Sequence, residues 1–250
     1  MTPDTGRATW LSTDEHLARL RLEGTRLGEV AAATRFAAAV PGCPGWDVEA
    51  LLAHLGDVHR WAAAIVRERL EIRPHRDFAG PSDREGLLAW YHEGHQELLA
   101  ALSGSSQEEH YWTWGPAPNP QAFWARRQAH ETAIHRLDID QAAGIPTTFP
   151  PAAAADGIDE WLALASRRCR VPDGAGRRLH LKTTDTDGEW QVELGAEGLR
   201  VRWGGPGGDF SVRAPAADLF ALVMNRRGVT GLEVAGDADV LRAWRDSVRF

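Results

Sequence analysis

Residues 42–63 read GCPGWDVEALLAHLGDVHRWAA. Gly42, Pro44 and Gly45 punctuate a turn, and Asp47 stands where a helix cap belongs. The apolar residues that follow recur at helical spacing: Val48, Leu51, Leu55, Val58, Ala62 and Ile65 form one stripe. The stretch predicts a helix over 47–70. On a wheel of about 100° per residue, His54 falls about 60° from the centre of that stripe. It therefore points to the edge of a buried face. An imidazole there is either a packed core residue satisfied by one hydrogen bond or a ligand waiting at a pocket.

Three more segments have the same character. Ser12 and Glu15 form a possible capping box before a helix predicted over 13–39. Ser82 and Glu85 repeat the pattern before 83–102. A loop rich in Trp and Pro, HYWTWGPAPNP, leads into a fourth helix over 120–143, which stops at Gly144 and Pro146. Four helices with an apolar stripe each predict an antiparallel bundle. After TTFPPAAAADG the texture changes. One more helix is expected over 153–168, and then the runs RLHLKTT, EWQVELG, LRVRWG and DFSVRA alternate as strands of an antiparallel sheet. A helix over 216–227, a short LEVAG strand and a helix around ADVLRAWRDSV close the chain. The expected fold is α+β in two domains. Residues 1–148 form the helical bundle, and 149–250 form a small α/β domain with a mainly antiparallel sheet.

Composition narrows the function classes. Hydrophobic residues make up 43% and charged residues 25%, enough for a core without disulfides. Cys43 and Cys169 form no CxxC pair and no disulfide framework, so a reducing cytoplasm is the expected location. No apolar run is long enough for a membrane span, and MTPDTGRATWLSTDEH lacks the order of a signal peptide. The net charge of −7 argues against nucleic acid as a partner. A monomer or homodimer acting on a small molecule is expected. Lys182 is the only Lys, so an Arg here is weak evidence of bidentate recognition.

The fourth helix carries HETAIHRLD, residues 130–138. Glu131 and His135 lie four apart and share a face with Trp124, Asp138 and Ala142. A carboxylate and an imidazole one turn apart can hold one cation. A third ligand from another helix would leave an open coordination position, the layout of a catalytic site. His54 can supply it, and His59, His92 and His95 compete with it on spacing alone. Mixed His/carboxylate ligation suits zinc, nickel or iron(II) better than calcium. Against this reading, ExxxH is common on helices by chance.

VPGCPGWDVEALLAHLGDVHRWAA and FWARRQAHETAIHRLDIDQAAG together resemble the mycothiol-dependent maleylpyruvate isomerase family. The matching positions are Cys43-Pro44-Gly45-Trp46, His54-Leu55, and Arg127, Glu131, His135, Arg136 and Asp138. APAADLFALVMNRRG and LEVAGDADVLRAW resemble the family's C-terminal domain. The resemblance implies a DinB-like metal-binding bundle followed by a sterol-carrier-like domain. It implies His54, Glu131 and His135 as metal ligands, zinc as the usual ion, and mycothiol as thiol cofactor or cosubstrate. It also implies a catalytic Arg at the end of the helix before the LEVAGD strand. Arg226 matches best and Arg227 is the neighbour that competes. Asn225 departs from the Trp-Gly-Arg pattern usual there. The implied reaction is a cis-trans isomerisation in a cleft between the domains. An S-transferase built from the same parts is the runner-up, and a non-catalytic ligand- or lipid-binding protein is the alternative of another class.

Other residues have structural readings beside functional ones. Cys43 reads as a small buried residue of a turn, with metal ligation or redox activity as its functional alternative. Cys169 reads as a helix-end residue, with a thiol pKa lowered by the two flanking arginines as its alternative. Trp112, Trp114 and Trp124 either wall a pocket or pack the end of the bundle. Arg127 and Asp138 either orient the ligands or, for Arg127, form a plain ion pair with Glu131. His130 points about 100° away from Glu131 and reads as a non-ligand.

Overall fold

A computed structural model describes residues 11–248. The chain divides into two units. Ser12–Thr147 form one, and the other starts at Thr148.

The first unit holds four helices: α1 (Thr13–Ala33), α2 (Val48–Arg67), α3 (Arg84–Gly104) and α4 (Pro120–Ala143). α1 packs mainly on α4, and α2 mainly on α3. α1 starts with the expected capping box, in which Glu15 N–H donates to Ser12 Oγ and Ser12 N–H to Glu15 Oε2. It ends six residues earlier than 39. The Thr34 hydroxyl donates to Val30 O, and the chain turns back. Val40 N–H donates to Trp46 O, Val48 N–H to Ala38 O, and Ala39 bridges Asp47. The alanine-rich sequence carries no breaker before Pro41, so helix propensity over-reads it; these tertiary bonds decide otherwise.

α2 also stops early, at Arg67, because Arg69 takes a left-handed conformation (φ 50°). α3 is capped by Asp83, whose carboxylate accepts from Gly86 N–H at 2.7 Å; the expected cap was Ser82. α4 spans the expected residues. Asn119 caps it, Pro120 opens it, and Gly144 closes it at φ 69°. Gly24 matters to packing: a Cβ there would lie 2.3 Å from His95 Nε2, so its absence lets α3 approach α1.

α4 is buried over most of its length although much of it is polar. Buried polar groups must be paired. Arg127 bonds Glu131, His135 bonds Asp138, and Arg136 reaches both Glu23 of α1 and Asp140. The bundle's apolar contacts lie in two clusters. One contains Leu20, Trp61, Ile65, Leu98 and Trp124; the other contains Leu27, Leu51, Leu55, Leu87 and Tyr91.

The second unit holds α5 (Pro151–Arg168), β1 (Arg178–Thr183), β2 (Glu189–Glu193), β3 (Arg200–Trp203), β4 (Phe210–Ala214), α6 (Ala216–Val223), β5 (Glu233–Gly236) and α7 (Ala238–Ser247). The strand order is β3-β2-β1-β4-β5. β1 and β4 pair in parallel, with Leu179 facing Phe210 and Leu181 facing Val212; the other pairs are antiparallel. This architecture is the expected two-domain α+β fold, with one parallel pair added to an otherwise antiparallel sheet. α5 and α6 pack together, and the indoles of Trp161 and Trp244 both donate to Val223 O at the end of α6. They satisfy a helix-terminal carbonyl inside the core.

α6 ends at Val223, short of the expected 227. Asn225 is left-handed (φ 61°); its N–H donates to Leu222 O and Arg226 N–H donates to Ala221 O. This is a Schellman ending, where Gly is the usual residue and Asn the next best. The departure from Gly at 225 thus keeps the conformation. The Asn225 amide also donates to Val248 O at 2.8 Å. Asn225→Ala is expected to lose about 1–2 kcal/mol of stability, because alanine lacks the short polar side chain that eases the left-handed conformation and bonds Val248 O. Asn225→Gly loses the bond but meets no penalty in that conformation, so it should lose clearly less. Urea unfolding of both variants checks the order; an alanine variant as stable as the glycine one contradicts it.

Candidate metal centre

The turn before α2, the middle of α2 and the middle of α4 meet at one place. His54 Nε2 lies 3.6 Å from Glu131 Oε1, and His135 Nε2 lies 3.5 Å from the same oxygen. One ligand atom from each residue falls within 4.8 Å of the others. Donors around a tetrahedral ion with bonds near 2.1 Å are separated by about 3.4 Å. Two imidazole nitrogens and one carboxylate oxygen at this spacing fit one divalent ion of the zinc type.

Both α4 residues are held from behind. Arg127 Nη2 donates to Glu131 Oε2 at 2.9 Å, which leaves Oε1 facing the imidazoles. His135 Nδ1 lies 2.9 Å from Asp138 Oδ2. An Nδ1–H donated to that carboxylate turns the Nε2 lone pair toward the centre. Burial works against the charged forms of both residues and is outweighed. Contacts from His135 and His54 and the charge of Arg127 hold the Glu131 carboxyl well below its ordinary value. Asp138, Cys43 and Glu131 hold the His135 imidazole well above its own.

The competing histidines go elsewhere. His59 is buried in the bundle core with Nε2 2.9 Å from Thr132 Oγ1. His95 Nε2 sits 3.0 Å from Leu20 O, and His92 is exposed. His130 lies edge-on to His16, with ring centres 5.5 Å apart. The tryptophans 112, 114 and 124 gather with Trp61 and Phe123 in one aromatic cluster, and Trp124 donates to Trp112 O. This is the packing reading. In the second unit Arg226 is half-buried and donates to Met224 O at 2.8 Å. The Arg227 guanidinium is engaged by Asp218, Gly228 O and Thr230 O. Cys169 is half-buried, and burial pushes its thiol up, against the two neighbouring arginines.

Two residues of the turn lie closer to the centre than the sequence suggests. Cys43 Sγ donates to Asp138 Oδ2 at 3.4 Å. The Trp46 ring lies 4.8 Å from that of His54 and 6.4 Å from that of His135, nearly parallel to the latter. No periodicity marks either residue, because both belong to a turn. The CPGW motif was the only signal available.

Residues 17–140 match the family described as mycothiol maleylpyruvate isomerase N-terminal domain. The chain belongs to the mycothiol-dependent maleylpyruvate isomerase family. The crystal structure of the mycothiol-dependent maleylpyruvate isomerase is similar over 98% of this chain and 100% of its own, with 15% identity and a TM-score of 0.64. A histidine-to-alanine mutant of that enzyme gives 17% identity and a TM-score of 0.66, with the same coverage. At this identity the likeness speaks for the fold. No curated protein matches the sequence. Among the described residues, no helix is long and apolar enough to cross a membrane.

The buried histidines outside the centre carry a pH dependence. Burial, then the nearby His95, holds His59 well below the ordinary histidine value; burial likewise lowers His95. The unfolded chain therefore binds more protons than the folded one just below about pH 6.5. The contribution of these two histidines is full above that pH and falls as pH drops through it, opposite in direction to that of His135. Thermal melts between about pH 7.5 and 5 are expected to show a falling midpoint, and a flat profile would refute this assignment.

Proposed function

We propose that this protein is a divalent-metal-dependent enzyme that uses mycothiol, or a similar small thiol, on an electrophilic small molecule. The reaction proposed is a cis-trans isomerisation of the maleylpyruvate type. The observation that carries it is the convergence of His54 and His135 on one oxygen of Glu131, in a member of a family named for that chemistry.

A bound divalent cation, zinc by its donor set, would stabilise a thiolate, the nucleophilic form of a thiol, at neutral pH. Glu131 supplies the negative charge of the ligand set, and Arg127 keeps one of its oxygens turned away. Asp138 holds a proton at His135 Nδ1, which keeps Nε2 available. Arg226 belongs to the proposal as the residue that holds a substrate carboxylate and the charge developing on it; that role rests on the resemblance. In the substrate, the thiol adds across the conjugated cis double bond, the new single bond rotates, and the thiol leaves. The thiol is returned unchanged and the trans acid is the product.

The test is to load the purified protein with zinc, add mycothiol and maleylpyruvate, and follow the product by proton NMR. Formation of the trans acid, dependent on the thiol and abolished in His54→Ala, is the expected result. Accumulation of a thioether adduct would replace the isomerase with an S-transferase. A wild-type protein that binds no divalent ion would end the metal reading and leave a ligand-binding relative.

A further inference from the structure

The turn Cys43-Pro44-Gly45-Trp46 does more than connect two helices. Trp46 N–H donates to Cys43 O at 2.9 Å, with Pro44 and Gly45 between them. Gly45 has φ +86°, so this is a turn that requires glycine at its third position. Val40 N–H fixes Trp46 O at 3.0 Å, and the Ala39–Asp47 bridge fixes the next residue. Asp47 then caps α2 by accepting from Ala50 N–H. The backbone of Trp46 is held from both sides.

Its side chain lies against two imidazoles at once, those of His54 and His135, which come from different helices. The two imidazoles are themselves 5.3 Å apart, edge to face. The two differ in support. His135 is buried, with Nδ1 beside Asp138. His54 keeps 22% of its side chain exposed, and its ring rests on Trp46 and His135. An unrestrained imidazole turns freely about two bonds, and ordering it on binding costs free energy. A rigid indole with a fixed backbone removes that freedom beforehand. Aromatic rings at these separations attract one another in edge-to-face and offset-stacked arrangements.

We infer that Trp46 is a positioning residue of the metal centre: it holds the imidazoles of His54 and His135 in the orientation that one divalent ion needs. The inference rests on the metal reading proposed above. Trp46 offers no ligand atom and acts through the two histidines. The turn's other side chain, Cys43, acts in the same direction by donating to the carboxylate that faces His135.

The experiment is cobalt(II) titration of wild type, Trp46→Leu and Trp46→Phe. Affinity is read by competition with a chromophoric chelator, and ligand geometry by the visible absorption of the bound cobalt. Circular dichroism confirms folding. Trp46→Leu is expected to bind cobalt about 10–100-fold more weakly, the range seen when groups orienting metal ligands are removed, and to change the cobalt spectrum. Trp46→Phe keeps a ring and is expected to recover most of the affinity and the wild-type spectrum. If Trp46→Leu does not fold, Trp46→Met replaces it in the same comparison. A folded variant without a ring that matches wild type in affinity and spectrum overturns the inference and leaves the metal reading intact. A wild type that binds no cobalt removes the metal reading first, and the role of Trp46 with it.

Discussion

Glu131→Ala is expected to lose the bound ion and to destabilise the bundle in the same step. The carboxylate has two oxygens with two tasks. Oε1 faces both imidazoles, and Oε2 takes the Arg127 guanidinium at 2.9 Å. Without it, two neutral nitrogens remain as ligands and affinity for zinc should fall by more than about 100-fold, beyond the effect of losing an orienting partner. Arg127, with 4% of its side chain exposed, would lose its carboxylate inside the protein. Breaking a buried ion pair from one side costs about 3–5 kcal/mol. Glu131→Gln separates the two effects. Its amide oxygen can still accept from Arg127, so stability should fall less, while the charge needed for the ion is gone. Metal content by plasma mass spectrometry and unfolding in guanidinium read the two effects. Full metal retention in a folded Glu131→Ala protein would defeat the ligand assignment.

Arg136→Ala is expected to cost about as much stability with no direct loss of a ligand. Arg136 joins Glu23 of α1 to Asp140 of α4, at 2.6 Å for the Asp140 contact. Thr147 adds a hydroxyl to Asp140, and Arg19 pairs with Glu23. The side chains of Glu23 and Asp140 are only 3% and 2% exposed. Deleting the guanidinium would leave two buried carboxylates without their shared cation, a loss of about 3–5 kcal/mol. Replacing Glu23, Arg136 and Asp140 together by apolar residues of similar volume should cost far less, since the one charge that then loses its partner is Arg19, whose side chain is 22% exposed. Guanidinium unfolding of the single and triple variants decides the matter. A single variant within about 1 kcal/mol of wild type would show that the network is not a stabilising unit.

The sequence was most legible where local chemistry ends an element. The capping pair Ser12 and Glu15 marks the start of α1 and Gly144 the end of α4, and the structure keeps both. It was least legible where distant backbone decides. α1 stops before an alanine-rich run because Val40 and Val48 bond back across the turn. α6 stops at a left-handed residue that is asparagine, so no glycine announced it. The parallel pairing of β1 with β4 joins strands with two others between them, and no local pattern encodes that choice. At the centre, Glu131 and His135 could be paired by helical spacing alone. Spacing could not choose among His54, His59, His92 and His95. Only the packing of α2 puts one imidazole beside Glu131, sends another to Thr132, and leaves the turn's indole over the first.

The parallel pair also sets the order in which the second unit can be assembled. β1, β2 and β3 are neighbours along the chain and can zip up as a meander from local contacts. β4 must then return past two strands to the far side of β1, and the entropy of closing that loop is spent before its contacts repay it. Until it arrives, the backbone groups of His180 and Lys182, which face β4, form an open edge, able to accept a strand from another chain. The interval between meander and return is therefore when a newly made chain is most exposed to self-association. Substitutions that delay β4 should lower the soluble yield even where the finished fold tolerates them.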